Sequence, residues 1–215
     1  MAKKKVNVKF LITLTAVIGG LSLVGFVSAL AMYSRHTSAA FIKKAADEEK
    51  KGNLPLAALY LGVAANKDLN NKSLFMQSGD MYERAVAIDP VYMGKATQEY
   101  RQVLELDPSY QPAIEHLLGI AVAQLHDGAA SPEFFAELKR LADQAASSDK
   151  SNPTYQVYSY VASLEQWSYS AARANPLIEK QIQELSRIAE QNPQIADGAF
   201  YASKVPTPYC SRSAL

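Results

Sequence analysis

Five dipeptides do most to limit what this 215-residue chain can fold into: Asp89-Pro90, Asp107-Pro108, Asn152-Pro153, Asn175-Pro176 and Asn192-Pro193. Proline disfavours helical geometry in the residue before it and is tolerated in a first helical turn, while Asp and Asn cap helices. Each dipeptide therefore predicts a helix boundary, and the stretches between them have the length of one helix or one helix pair. Beyond Ser38 apolar residues recur at spacings of three and four, with almost no strict alternation. An all-α body follows.

The helices group into pairs. A first pair runs from about Ser38 to Asn71, with Phe41 and Ala45 on the leading helix, a turn at Gly52-Asn53, and Ala57, Leu61 and Ala64 on the second helix. A second extends from Lys72 to about Ser109. A third, Tyr110 to Asn152, carries Ile114, Leu117, Leu118 and Ala121, then Phe134, Leu138, Leu141 and Ala145, with His126-Asp127-Gly128 at the turn. A fourth, Pro153 to about Gln194, carries Tyr155, Tyr158, Val161 and Ala162, then Ile178, Ile182, Leu185 and Ile188.

The second pair contains Phe75-x2-Ser78-Gly79-x2-Tyr82 followed by Ala96-x3-Tyr100-x7-Pro108. In order and in most of its spacing this pattern resembles a tetratricopeptide repeat, with about five extra residues between its halves. Met81 to Pro90 also reads as the end of a second helix, and a lengthened repeat reconciles the two registers. In the first pair Ala57, Leu61 and Ala64 match the small-residue spacing that the repeat uses for close helix contact. The last two pairs match in periodicity alone.

The resemblance implies a right-handed solenoid of antiparallel helix pairs. One pair cannot bury its apolar face alone, and stacking several pairs builds a continuous core. It also implies a repeat-packing set (Phe41, Ala45, Ala57, Leu61, Ala64, Phe75, Gly79, Tyr82, Ala96, Tyr100 and Pro108) and a concave groove for a protein segment. Groove positions would be Ile42, Ala46, Met76, Asp80, Glu83 and Glu115, an apolar and acidic mixture suited to a partner with apolar anchors and Lys or Arg. The subtype that clamps a C-terminal carboxylate needs Lys and Asn where Ile42 and Ala46 stand, so that role is not implied.

From Phe10 to Tyr33 no charged residue interrupts the chain, and 24 residues of helix would reach about 36 Å. That length spans the hydrocarbon core with some tilt. Lys3, Lys4, Lys5 and Lys9 precede it, and this bias places the N-terminus on the cytoplasmic side and the body outside. The alternative is cleavage after Ala31 in Ala29-Leu30-Ala31 and release to the periplasm. Ala16-x3-Gly20 and Gly25-x3-Ala29 are ordinary small residues of such a span, or a face for pairing two of them.

Charge is uneven. Lys3, Lys4, Lys5, Lys9 and Arg35 lie in the first 35 positions without an acid, and the other 17 of the 22 bases face all 21 acids. A mildly acidic body offers no broad face for phosphates, which argues against nucleic acid as a partner. The lone Cys210 cannot form an intramolecular disulfide. The three histidines are scattered, and Glu115-His116 lacks the second His of a metalloprotease helix, because Gly119 stands there. No phosphate-binding glycine loop or nucleophile elbow occurs. A run of Tyr155, Tyr158, Tyr160, Trp167 and Tyr169 offers packing surface or a ligand face.

The sequence thus predicts a basic N-terminus over 1–9, a single-pass anchor of the cytoplasmic membrane over 10–33, a repeat domain over 38–194 and a loosely ordered tail over 195–215. The expected function is a bacterial-type, non-catalytic scaffold that gathers protein partners, with no cofactor or metal. The alternatives are a helical small-ligand or glycan-binding protein or enzyme outside the membrane, and a self-assembling array of identical chains.

Overall fold

A computed structural model of the chain describes residues 37–168, 176–195 and four further positions, Asp197, Gly198, Phe200 and Tyr201. These residues form eight α-helices and no strand: α1 (Ser38–Lys50), α2 (Leu54–Ala65), α3 (Lys72–Ala85), α4 (Val91–Leu106), α5 (Gln111–His126), α6 (Pro132–Ser148), α7 (Pro153–Ser168) and α8 (Pro176–Gln191). The body is all-α. Among the described residues no helix is long and apolar enough to cross a membrane. The expected anchor over 10–33 lies outside them. The chain divides into two compact units, Met1–Ile88 and Asp89–Leu215, and the division separates the two halves of the tetratricopeptide-like motif.

In the first unit α1 begins at Thr37, whose Oγ1 accepts from the Ala40 N–H at 3.4 Å. It ends on Gly52, at φ +77°, in a left-handed turn that glycine adopts without steric cost. The Gly52 N–H donates to the Glu49 carbonyl at 2.9 Å and the Asn53 N–H to the Glu48 carbonyl at 3.0 Å, the paired bonds of a Schellman motif. α2 is apolar nearly all round and packs on both α1 and α3. Its small residues Ala57, Ala58, Gly62, Ala64 and Ala65 are buried, so the neighbouring backbones approach closely. Two serines use that approach: Ser38 Oγ donates to the Ala64 carbonyl and Ser78 Oγ to the Ala58 carbonyl, both at 3.1 Å. The first bond joins the start of α1 to the end of α2, so these helices are antiparallel. Arg84 near the end of α3 reaches Glu49 near the end of α1 at 2.7 Å, which sets α1 and α3 parallel.

In the second unit each helix packs on the next in sequence, α4 on α5 through α7 on α8. Tyr100 of α4 is fully buried, its ring stacked on His116 of α5 with centroids 4.6 Å apart. The α5–α6 turn repeats the first unit's device. Gly128 sits at φ +91°, its N–H donating to the Leu125 carbonyl and the Ala129 N–H to the Gln124 carbonyl. Ser131 Oγ then caps α6 by accepting from the Phe134 N–H at 3.1 Å. At three of the proline dipeptides the Asp or Asn side chain accepts from the backbone two residues on: Asp89 from Val91 at 2.9 Å, Asp107 from Ser109 at 3.2 Å and Asn152 from Thr154 at 3.0 Å. These turns satisfy donors that a new helix would leave orphaned. The core runs through Ile114, Phe135, Leu138, Leu141, Val157, Val161 and Leu185, each at most 2% exposed.

Candidate functional site

α1 and α3, lying parallel on α2, enclose a surface cavity of about 260 Å³ in the first unit. α1 contributes Ile42, Ala45, Ala46 and Glu49, and α3 contributes Gln77, Asp80, Met81 and Arg84. On both helices these are positions i, i+3, i+4 and i+7, the single face that a 3.6-residue period presents. Leu61 of α2 completes the lining. Ala45, Leu61 and Met81 are buried and apolar, whereas Ile42 is 38% exposed. The ion pair of Glu49 and Arg84 closes one end, with side chains 42% and 55% exposed. A pair so wetted contributes at most about 1 kcal/mol and is easily exchanged for another charge.

Of the residues expected in a groove, Ile42, Ala46 and Asp80 meet in this cavity. Met76 does not belong there: it is buried at 8% exposure, because α3 is covered over a wide arc that includes Leu74, Phe75, Met76, Ser78 and Gly79. Glu83 is half-buried and outside the lining. Glu115 belongs to the second unit, where its Oε1 accepts from the Tyr155 hydroxyl at 2.8 Å. The α3 face is therefore turned by one residue from the expected register, to 77, 80, 81 and 84. Glu49, Gln77, Met81 and Arg84 escaped the sequence reading, although continuing the step from Ile42 and Ala46 by another turn reaches Glu49.

In the expected packing set, Ala45, Ala57, Leu61, Ala64, Phe75, Gly79, Tyr82, Ala96 and Tyr100 are buried and Phe41 is half-buried. Pro108 departs from it. It is exposed, because it sits in the open turn after α4, where a proline blocks helix continuation without being covered.

The second unit has its own surface features. Between α4 and α6 lies a cavity of about 250 Å³, with Thr97 and Arg101 on one side and Glu133, Phe134 and Glu137 on the other. A hydrogen bond from Arg140 holds the Glu137 carboxyl below its ordinary value. The tyrosine-rich run does not form one surface. Tyr158 is buried, and its hydroxyl donates to Asp197 Oδ2 at 2.7 Å, an oxygen that His126 Nε2 also approaches to 2.8 Å. Burial, and then that bond to a carboxylate, raise the Tyr158 hydroxyl well above its ordinary value. Tyr160 borders a cavity of about 520 Å³ with Leu177, Lys180, Gln181 and Glu184. Tyr169 lies outside the described residues.

What the α1–α3 groove can do chemically is limited and specific. Its volume is below the range of roughly 300–1,000 Å³ that holds a drug-sized molecule, and it suits a side chain or two presented by a peptide. Its floor is apolar, with Ala45, Leu61 and Met81, and its rim carries the charges of Asp80, Glu49 and Arg84. Comparison with protein-family models gives no match to this chain, and comparison with curated proteins gives none.

Proposed function

We propose that this protein is a membrane-anchored, non-catalytic scaffold whose body is a tetratricopeptide-like solenoid of antiparallel helix pairs. The α1–α3 groove binds a segment of a protein partner. The observation that carries this reading is the matched i, i+3, i+4, i+7 stripe on two parallel helices, which lines one cavity with an apolar floor and a charged rim. Helix-in-groove and extended-peptide recognition both use such anchors, with the apolar side chain supplying affinity and the rim charge supplying register. The partner segment would carry a Leu, Ile or Met beside a Lys or Arg that meets Asp80.

The test is cross-linking in intact membranes followed by mass spectrometry, comparing the wild type with Ile42→Lys and Asp80→Lys. Both side chains stand at the cavity surface, so the fold survives the exchange. A discrete partner captured by the wild type and lost from both variants is expected. Capture that is unchanged in both variants would remove the groove from the account, and capture of identical chains alone would turn the reading to self-assembly.

A second reading, a helical small-ligand or glycan-binding protein, draws on the cavity beside Tyr160, whose volume falls in the small-molecule range. It predicts saturable binding of a small ligand that Tyr160→Ala weakens without loss of helix content.

A further inference from the structure

Only three residues separate Tyr33, the end of the expected span, from Thr37 at the start of α1. Four steps of chain reach at most about 14 Å even when fully extended. The Ser38–Ala64 hydrogen bond brings the far end of α2 to the same place, so this end of the first unit presents the start of α1 and the end of α2 together. Phe41 in the first turn of α1 faces Tyr60 in the middle of α2, with ring centroids 6.2 Å apart. Lys44 Nζ lies 5.0 Å from the Phe41 centroid and 5.6 Å from that of Tyr60, and Lys67 Nζ lies 5.5 Å from Phe41. Both lysines are exposed, and among the described residues neither has a carboxylate within ion-pair distance. At the opposite end of α1 the arrangement is reversed: Lys51 is paired with Glu48 at 2.6 Å and Arg84 with Glu49 at 2.7 Å. At that end Lys51 and Arg84 are neutralised by carboxylates, and Lys50 beside them has no such pair among the described residues. Near the start of α1, Lys44 and Lys67 instead lie over aromatic rings with no ion pair among the described residues.

We propose that the surface formed by Phe41, Tyr60, Lys44 and Lys67 lies against the bilayer and binds the phosphates of anionic phospholipid headgroups, fixing the orientation of the first unit on the membrane. Aromatic rings with a polar edge prefer the headgroup level, and lysines lay their methylene stems along such rings while their ammonium groups reach a phosphate. The tether is too short to carry this end away from the interface. The proposal rests on residues 10–33 being a retained span, as the proposed function has it.

The test uses the full-length chain in nanodiscs of phosphatidylcholine alone or mixed with phosphatidylglycerol, with Trp167→Phe and Tyr60→Trp making position 60 the sole tryptophan. Spin-labelled headgroups quench a tryptophan that touches them. Stronger quenching in the anionic discs is expected, and each lysine removed from the surface should lower the ratio of lipid-bound to unbound surface by about fivefold. Lys44→Glu with Lys67→Glu should thus return the signal to its level in neutral discs, with Lys44→Gln and Lys67→Gln acting in the same direction and helix content by circular dichroism unchanged in all. Equal quenching in the two lipid mixtures, the result if a second copy or an acidic protein covers the lysines, overturns the proposal. So does quenching that is indifferent to the lysines. Alkaline carbonate extraction separates the two readings: release of the wild-type chain to the supernatant removes the anchor and the proposal with it, whereas a retained chain without lipid-dependent quenching removes the proposal alone.

Discussion

In the first unit the side chains that lose all exposure are small, Ala57, Ala58, Ala64, Ala65, Ala85 and Ser78, whereas in the second unit alanines are joined by Tyr100, Leu138, Val157, Val161 and Leu185. Among the largest fully buried side chains of the described residues, the first unit supplies Ser78 alone. Both units are helices packed on their sequence neighbours with alanines between them, yet only the second adds large side chains that fill the space completely. Close approach puts carbonyls within reach of serine hydroxyls, as Ala58 and Ala64 are, and leaves no room for an extra methylene. Filled space concentrates apolar burial in a few large residues, and the polar links between helices include long side chains, as in Tyr155 to Glu115, beside the short Ser159 to Asp143. The two units should therefore fail under opposite kinds of substitution.

The largest expected effect is in the second unit. Phe135→Ala should cost about 3–5 kcal/mol, because a fully enclosed ring leaves a cavity that its neighbours fill only in part. Amide hydrogen exchange read by mass spectrometry should speed up across α4 to α8 and stay near wild type in α1 to α3. Equal acceleration in both would mean that the units are one cooperative body. The reverse experiment is Ala58→Leu, which places a branched side chain where exposure is 0%. Overpacking should cost about 1–3 kcal/mol, with faster exchange confined to α1, α2 and α3. A neutral result would show that α2 has slack against its neighbours.

Tyr158→Phe sharpens the comparison with a smaller effect, about 1.5 kcal/mol for a hydrogen bond to a carboxylate. It also has a signature in pH. The Tyr158 hydroxyl is raised in the folded chain, so its contribution is complete below the unfolded value of 10.0 and is lost as pH rises above it. Denaturant midpoints measured from neutral to strongly alkaline pH should fall more steeply for the wild type than for Tyr158→Phe. Parallel curves would show that this hydroxyl does not drive the alkaline loss.

The helices were legible because their ends carry chemistry that has few alternatives. Gly52 and Gly128 supply the positive φ of two helix stops, and Asp89, Asp107 and Asn152 close short turns beside proline. Ala57, Leu61 and Ala64 announced a buried face for the same reason: small residues at helical spacing permit close contact. The rotation of α3 was not legible. With Leu74, Phe75, Met76, Ser78, Gly79, Met81, Tyr82 and Ala85 all buried, the apolar arc is too wide for polarity to tell whether 76 or 77 borders the groove. Nor was the role of Asp197, whose partners His126 and Tyr158 lie 71 and 39 residues away in sequence and share no local pattern with it. The division of the chain between Ile88 and Asp89 falls inside the best-matched motif, because a motif reports the faces of its two helices and not which neighbour each one meets.

During synthesis the first unit can close as soon as Ala85 has emerged, since the main contacts that bury α2 come from α1, already made, and α3, next in line. Asp197 follows His126 by 71 residues, and at about 5–20 residues per second the chain waits on the order of 4–14 s between making the histidine and making its partner. Tyr158, made 39 residues before Asp197, waits about 2–8 s for the carboxylate that receives its hydroxyl hydrogen. A ribosome that stalls or stops within this stretch would therefore release a chain with a finished first unit and a second unit whose last clasp is missing, an unequal product for the cell's proteases to find.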